Sequence, residues 1–144
     1  MLINKLSLIL AVLLFSSAGA AQKVRTPEKG SAERSLILNT LRKPVELDLK
    51  QKVMFVTDNF FVYGNWAFIS GEPQTPAGAK PNYRGTRYWE AEQADMFDNN
   101  FFALLRKTGS KWKVVTYAIG CTDVCYADWW RRYKAPKAVF PYTE

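Results

Sequence analysis

The side chains in this chain that can do chemistry are carboxylates, tyrosines, Lys and Arg, and two cysteines; histidine is absent. Without imidazole there is no Ser-His-Asp triad, no Cys-His pair and no His-ligated metal. Two cysteines are too few for a four-thiolate zinc site. Acid–base or nucleophilic work would fall to carboxylates, and the candidates are Asp58, Glu72, Glu90, Glu92, Asp95, Asp98, Asp123 and Asp128. A pair of carboxylates suffices for glycoside hydrolysis or proton transfer without histidine. Glu90, Glu92, Asp95 and Asp98 crowd into one stretch, but their spacing lacks the Gly and the closing Glu of a calcium loop. A solvated acidic loop balanced by Arg84 and Arg87 is the expected arrangement, so no metal and no cofactor is expected.

Cys121 and Cys125 lie four apart. In an oxidising compartment that pair favours a disulfide bracing the corner at Gly120. A pair spaced by four on an ideal helix sits near the upper limit of the allowed Cα separation, which points to a turn. Redox motifs place their thiols three apart beside a helix N-terminus, and this spacing differs.

The densest unusual run is Trp129-Trp130-Arg131-Arg132-Tyr133-Lys134, followed by Lys137, Phe140 and Tyr142. Trp, Tyr and Arg are the residues enriched at binding hot spots, and basic–aromatic mixtures suit anionic glycans or lipid headgroups. The competing role is packing: at helical spacing Trp129 and Tyr133 share a face that can turn to the core while the cations stay in solvent. A second aromatic set, Tyr63, Trp66, Phe68 and Trp112, either lines a pocket for an apolar ligand or fills the core.

These residues must be positioned by few elements. The 144-residue chain carries 20 Lys plus Arg against 13 Asp plus Glu. Lys5, the apolar run Leu6–Phe15 and the small residues Ser16–Ala21 have the three parts of a secretory signal. The run is too short for a membrane span, and no later segment is long and apolar enough for one. Residues 1–21 therefore read as a signal, with cleavage expected before Ala21 or before Gln22. With the cut after Ala21, the remaining 123 residues hold 19 basic and 13 acidic side chains, a formal charge of +6. A periplasmic or secreted location follows. It makes nucleic acid an unsuitable partner and an acidic protein or anionic envelope component a suitable one.

Residues 22–31 read as a flexible polar leader, and 32–144 as a single domain. Ser31 caps a helix over Ala32–Lys43, with Leu38, Leu41 and Val45 on one face, Ile37 beside them, and Pro44 ending or kinking it. Val45–Leu49 alternates and is either a short strand or a further helical turn. Val53–Val56 reads as strand, broken at Asp58-Asn59. Phe60–Tyr63 and Trp66–Ile69 form a hairpin around Gly64-Asn65. Phe101–Arg106 and Lys111–Ile119 form another around Thr108-Gly109-Ser110. On its second strand strict alternation puts Trp112, Val114 and Thr116 on one face and Val115, Tyr117 and Ile119 on the other. Apolar residues on both faces predict a sheet covered on both sides. Gly71–Asn100 is a long excursion with a short strand expected near Thr86–Trp89, and Thr122-Asp123 opens a short helix to Tyr133.

The class is α+β: an N-terminal helix packed on a curved antiparallel sheet of four to five strands, with a short C-terminal helix. The hairpin from Ala103 to Val115, with its charged turn and Trp112-Lys113-Val114-Val115 strand, resembles the closing hairpin of the cone-shaped ketosteroid-isomerase-like, nuclear-transport-factor-like and cystatin-like superfamily. That resemblance implies a sheet wrapped over a helix, often enclosing a pocket, in a group that includes enzymes, binders and interaction modules. No local motif decides which of Asp58, Tyr63 or Tyr117 would match the catalytic Asp and Tyr of its isomerases. Two functions stand side by side. One is an exported non-enzymatic binding module, an inhibitor or accessory factor for an acidic envelope partner. The other is a small isomerase or hydrolase using a carboxylate in a cone pocket.

Overall fold

The computed structural model describes residues 21–144; the apolar run read as a signal lies outside them. Helix α1 spans Ala32–Leu49 and starts on Ser31, whose hydroxyl accepts the Arg34 amide hydrogen at 3.2 Å. Contrary to expectation, Pro44 does not end it. Losing one helical hydrogen bond there costs about 3 kcal/mol. Continuing the helix buries Val45 and Leu49 in the same row as Ile37 and Leu41. Each such burial is worth about 1.5–3 kcal/mol, which offsets the loss. The alternation of Val45–Leu49 is thus helical, with Leu47 80% exposed between two buried neighbours.

The sheet is an antiparallel meander in chain order: β1 Met54–Tyr63, β2 Trp66–Gln74, β3 Phe101–Thr108 and β4 Lys111–Ile119. The turns at Gly64-Asn65 and Gly109-Ser110 fall as expected. Asp58 does not break β1; the register slips by one residue between Thr57 and Asn59 while the strand runs on. A bulge absorbs one unpaired residue without ending the ladder. Gly71 faces it, where a Cβ would stand 1.9 Å from the Val56 carbonyl oxygen.

A second slip, opposite Leu104/Leu105, inserts Val115 into β4 and reverses the expected faces beyond it. Trp112, Val114, Tyr117 and Ile119 all pack toward α1, and Val115 and Ala118 pack to the other side. Strict alternation fails because the bulge adds one residue to a period of two.

The sheet is covered on both faces. On one side α1 meets Ala67, Ile69, Ala103, Leu105 and Trp112. On the other the chain after Ile119 folds back, with Tyr126, Trp129, Val139 and Phe140 over Phe68 and Leu104. This second layer holds only two short pieces of helix, α3 at Trp129–Arg132 and a 3-10 turn at Lys137–Val139. The helix expected from Thr122 is preempted by the Cys121–Cys125 disulfide, whose Cα atoms are 6.1 Å apart in a run of turns.

The excursion is also ordered differently. β2 takes its first residues, and Thr86–Tyr88 is a turn, not a strand, leading into α2 at Trp89–Gln93. The Thr86 hydroxyl donates to the Tyr83 carbonyl at 2.6 Å and accepts the Tyr88 amide hydrogen at 3.2 Å. Tyr83, Tyr88 and Phe97 pack edge-on or tilted with centroids 4.5–6.2 Å apart, joining the segment to the core on the α1 side. Gly120 makes room for that core, since a Cβ there would stand 2.1 Å from the Phe97 ring. The leader is anchored from Arg25 onward. Arg25 exchanges backbone hydrogen bonds with Val62 at 2.8 and 3.0 Å and pairs with Glu33 at 2.6 Å.

Candidate binding site

The six residues of the basic–aromatic run go to three different places. Trp129 is core, in edge contact with Tyr126 and Tyr133, and Tyr133 is half-buried beside it. Arg132 is paired with Asp128 at 2.8 Å. Trp130 stays half-buried at the surface. Its indole nitrogen donates to the Glu144 carbonyl at 3.0 Å, Lys137 lies 3.9 Å from its ring centre, and Arg131 lies 5.9 Å away.

Lys134 turns elsewhere. It ends α3 in the left-handed conformation, φ 55°, while the Ala135 amide donates to the Trp130 carbonyl at 2.9 Å. That helix-ending geometry is the one glycine adopts without penalty. Lys134 then lines a recess of about 430 Å³ together with Gln22, Tyr63, Asn65, Trp66 and Arg106.

Local folding explains why these residues meet. Trp66 and Arg106 are direct cross-strand partners on β2 and β3, and the guanidinium lies 5.1 Å over the indole. Asn65 sits in the turn, its carbonyl accepting the Lys107 amide hydrogen at 2.7 Å. Gln22 arrives because the Arg25–Val62 pairing lays the leader along β1, bringing its side-chain amide against Gly64. Two exposed cations, two half-buried aromatic rings and two amides thus border one concavity, and among the described residues no carboxylate lines it. Such a site can take an anion by charge and a ring by contact with the aromatic side chains.

Of the four pocket candidates, Tyr63 and Trp66 line this recess. Phe68 is fully buried under the C-terminal layer, and Trp112 is buried under α1, so neither faces a pocket. Gln22 and Arg106 were not singled out from sequence. Arg106 becomes a site residue only through its register opposite Trp66.

The acid candidates do not assemble. Asp58 is the exposed bulge residue, Glu72, Glu90, Asp95, Asp98 and Asp123 are exposed, and Glu92 pairs with Lys80 at 2.7 Å. Among the described residues no three Asp, Glu or Cys side chains converge on a cation position.

One unanticipated carboxylate is built in. Asp48 on α1 accepts hydrogen bonds from Arg87 at 2.7 Å, Tyr88 at 2.6 Å and Tyr117 at 2.9 Å, all on Oδ2. Arg87 therefore balances Asp48 and not the acidic loop. Burial pushes the Asp48 pKa up, but the three donors outweigh it and leave the carboxyl below its ordinary value. Tyr117 is pushed up to about 12 by burial and by its bond to Asp48. A carboxylate held ionised, with one oxygen already taking three donors, is suited to holding structure and poorly suited to abstracting a proton. The sequence signal for it was its position seven residues after Leu41 and three after Val45, on the buried face. That signal is visible only if the helix is read through Pro44.

Compared with protein-family models, with curated proteins and with solved structures, the chain matches none of them.

Proposed function

We propose that this protein is an exported, non-enzymatic binding module that engages an anionic saccharide of the cell envelope. The recess of Tyr63, Trp66, Arg106 and Lys134 would be its centre. The observation that carries this reading is the meeting of two aromatic rings and two cations, which have no ion-pair partner among the described residues, in a concavity that none of the described acids lines. Its volume, about 430 Å³, falls within the 300–1,000 Å³ typical of small-ligand sites. It suits a compact acidic ring better than an extended peptide. Lys134 supports the reading: a left-handed lysine where glycine is favoured retains a side chain that serves the recess. Trp130 with Arg131 and Lys137 lies on the same C-terminal run as a separate basic–aromatic cluster.

Binding of a galacturonic acid hexamer, measured by thermophoresis at low salt, tests it. Replacing both cations, Arg106→Gln with Lys134→Gln, is expected to weaken binding about ten-fold, each exposed cation being worth up to about 1 kcal/mol. The triple change Trp130→Ala, Arg131→Ala and Arg132→Ala should weaken it less. Equal binding of a neutral glucose hexamer would overturn the reading. Binding of polyglutamate but not the saccharide would replace it with an acidic protein partner.

A further inference from the structure

One row of the sheet carries positive charge past the recess. Cross-strand register sets Trp66 on β2, Arg106 on β3 and Lys113 on β4 directly beside one another. All three project from the face opposite α1, because their chain neighbours Ala67, Leu105 and Trp112 pack under the helix. Lys111 follows on the same face, two residues nearer the turn and opposite Thr108. Arg106, Lys111 and Lys113 are exposed, and none has an ion-pair partner among the described residues. The hairpin itself offers none, since residues 99–122 include four cations and no Asp or Glu. We propose that the ligand is a chain of acidic sugars, with one ring in the recess and the following carboxylates on Arg106, Lys113 and Lys111. This rests on the recess reading above and extends it from a single ring to a polymer.

Like charges directly opposite one another on a sheet are destabilising, and Arg106 and Lys113 are such a pair. Lysines on an edge strand also deter unwanted strand pairing. That accounts for Lys111 and Lys113 on β4, which ends the sheet, but not for Arg106 on the inner strand β3. A carboxylate bound between the two side chains turns one repulsion into two attractions. The C-terminal layer covers the neighbouring residues Phe68 and Leu104 and leaves this row open. Adjacent strands lie about 4.8 Å apart, so the row from Trp66 to Lys113 covers about 10 Å, and Lys111 adds about 7 Å along β4. A span of that length is longer than one sugar ring and matches several carboxylates in succession.

The galacturonic acid hexamer at low salt is again the probe. Lys111→Gln with Lys113→Gln should weaken its binding about five-fold. A charge-matched control, Lys43→Gln on α1 with Arg84→Gln in the excursion, removes two exposed cations outside the row and should change binding by less than about two-fold. Lys111→Arg with Lys113→Arg keeps both charges and should bind like wild type. The double Gln variant should melt no lower than wild type, because the opposed charges are relieved. Wild-type affinity in the Lys111→Gln, Lys113→Gln protein, or equal weakening in the control, would overturn the inference. The recess reading would survive either result as long as Arg106→Gln with Lys134→Gln still weakens binding. Full affinity in that last protein would remove both.

Discussion

Helix α1 covers one face of the sheet with aliphatic side chains, while the chain after Ile119 covers the other with aromatic ones. The helix layer is regular: a single row, Ile37, Leu41, Val45 and Leu49, does most of the packing. Its half-buried Asp48 takes Arg87, Tyr88 and Tyr117 on one carboxylate oxygen. The C-terminal layer has little regular structure and relies on a disulfide, interlocking rings and short turns. Among the described residues its Lys134 and Lys137 have no carboxylate partner. Asp48 on one side is already bonded by the protein, whereas Lys134 and Lys137 on the other are not. A group already bonded by the protein has little left to offer a ligand.

The comparison breaks hardest at the two cores. Phe68→Ala removes the ring against which Tyr126 and Phe140 pack at 4.7 and 5.4 Å. It should cost about 4 kcal/mol, against about 3 kcal/mol for Leu41→Ala. Urea unfolding of both variants checks this, and the C-terminal layer should become protease-sensitive only in Phe68→Ala.

Asp48→Ala should cost about 2 kcal/mol, because three donors lose their acceptor. Its pH signature follows from the lowered Asp48 pKa. A depressed carboxyl stabilises the fold above its unfolded value, and that contribution is lost as pH falls through the folded one. The stability gap between wild type and Asp48→Ala should thus be full at pH 7 and close below about pH 4. A gap that does not shrink at all as pH falls would show that the ionised form of Asp48 adds nothing to the fold. Saccharide affinity should not change in this variant.

Replacing Cys121 and Cys125 together by serine should cost about 2 kcal/mol, the chain-entropy value for so short a loop. Thermal melts with and without reductant would report it, and the reductant should leave the serine variant unaffected.

The smallest effect sharpens the contrast most. Lys134→Gly relieves a left-handed non-glycine residue and should raise stability by about 1 kcal/mol while weakening saccharide binding. A gain in stability with unchanged binding would leave Lys134 outside the site.

Much was legible before the structure. Ser31 as a cap, the two hairpin turns and the apolar character of both strand faces come from local rules, and each holds. Three of the expectations that failed did so for one reason. The effects of Pro44, Asp58 and Val115 depend on what their neighbours bury, and burial is a long-range quantity. Pro44 is tolerated because Val45 and Leu49 reach the sheet. Val115 is bulged, so Tyr117 turns toward α1 and finds Asp48.

The sequence by itself determined the class of fold, the disulfide and the chemistry left open once histidine is absent. Those follow from residue types and from spacings of a few residues. Only the tertiary structure decided which cations are used up. Arg132 and Arg87 are spent on Asp128 and Asp48, whereas Arg106 and Lys134, 28 residues apart in sequence, meet Gln22 and Trp66 in one recess. Ion pairing acts over a few ångströms, and distance in space between residues far apart in the chain is set by strand register and layer packing.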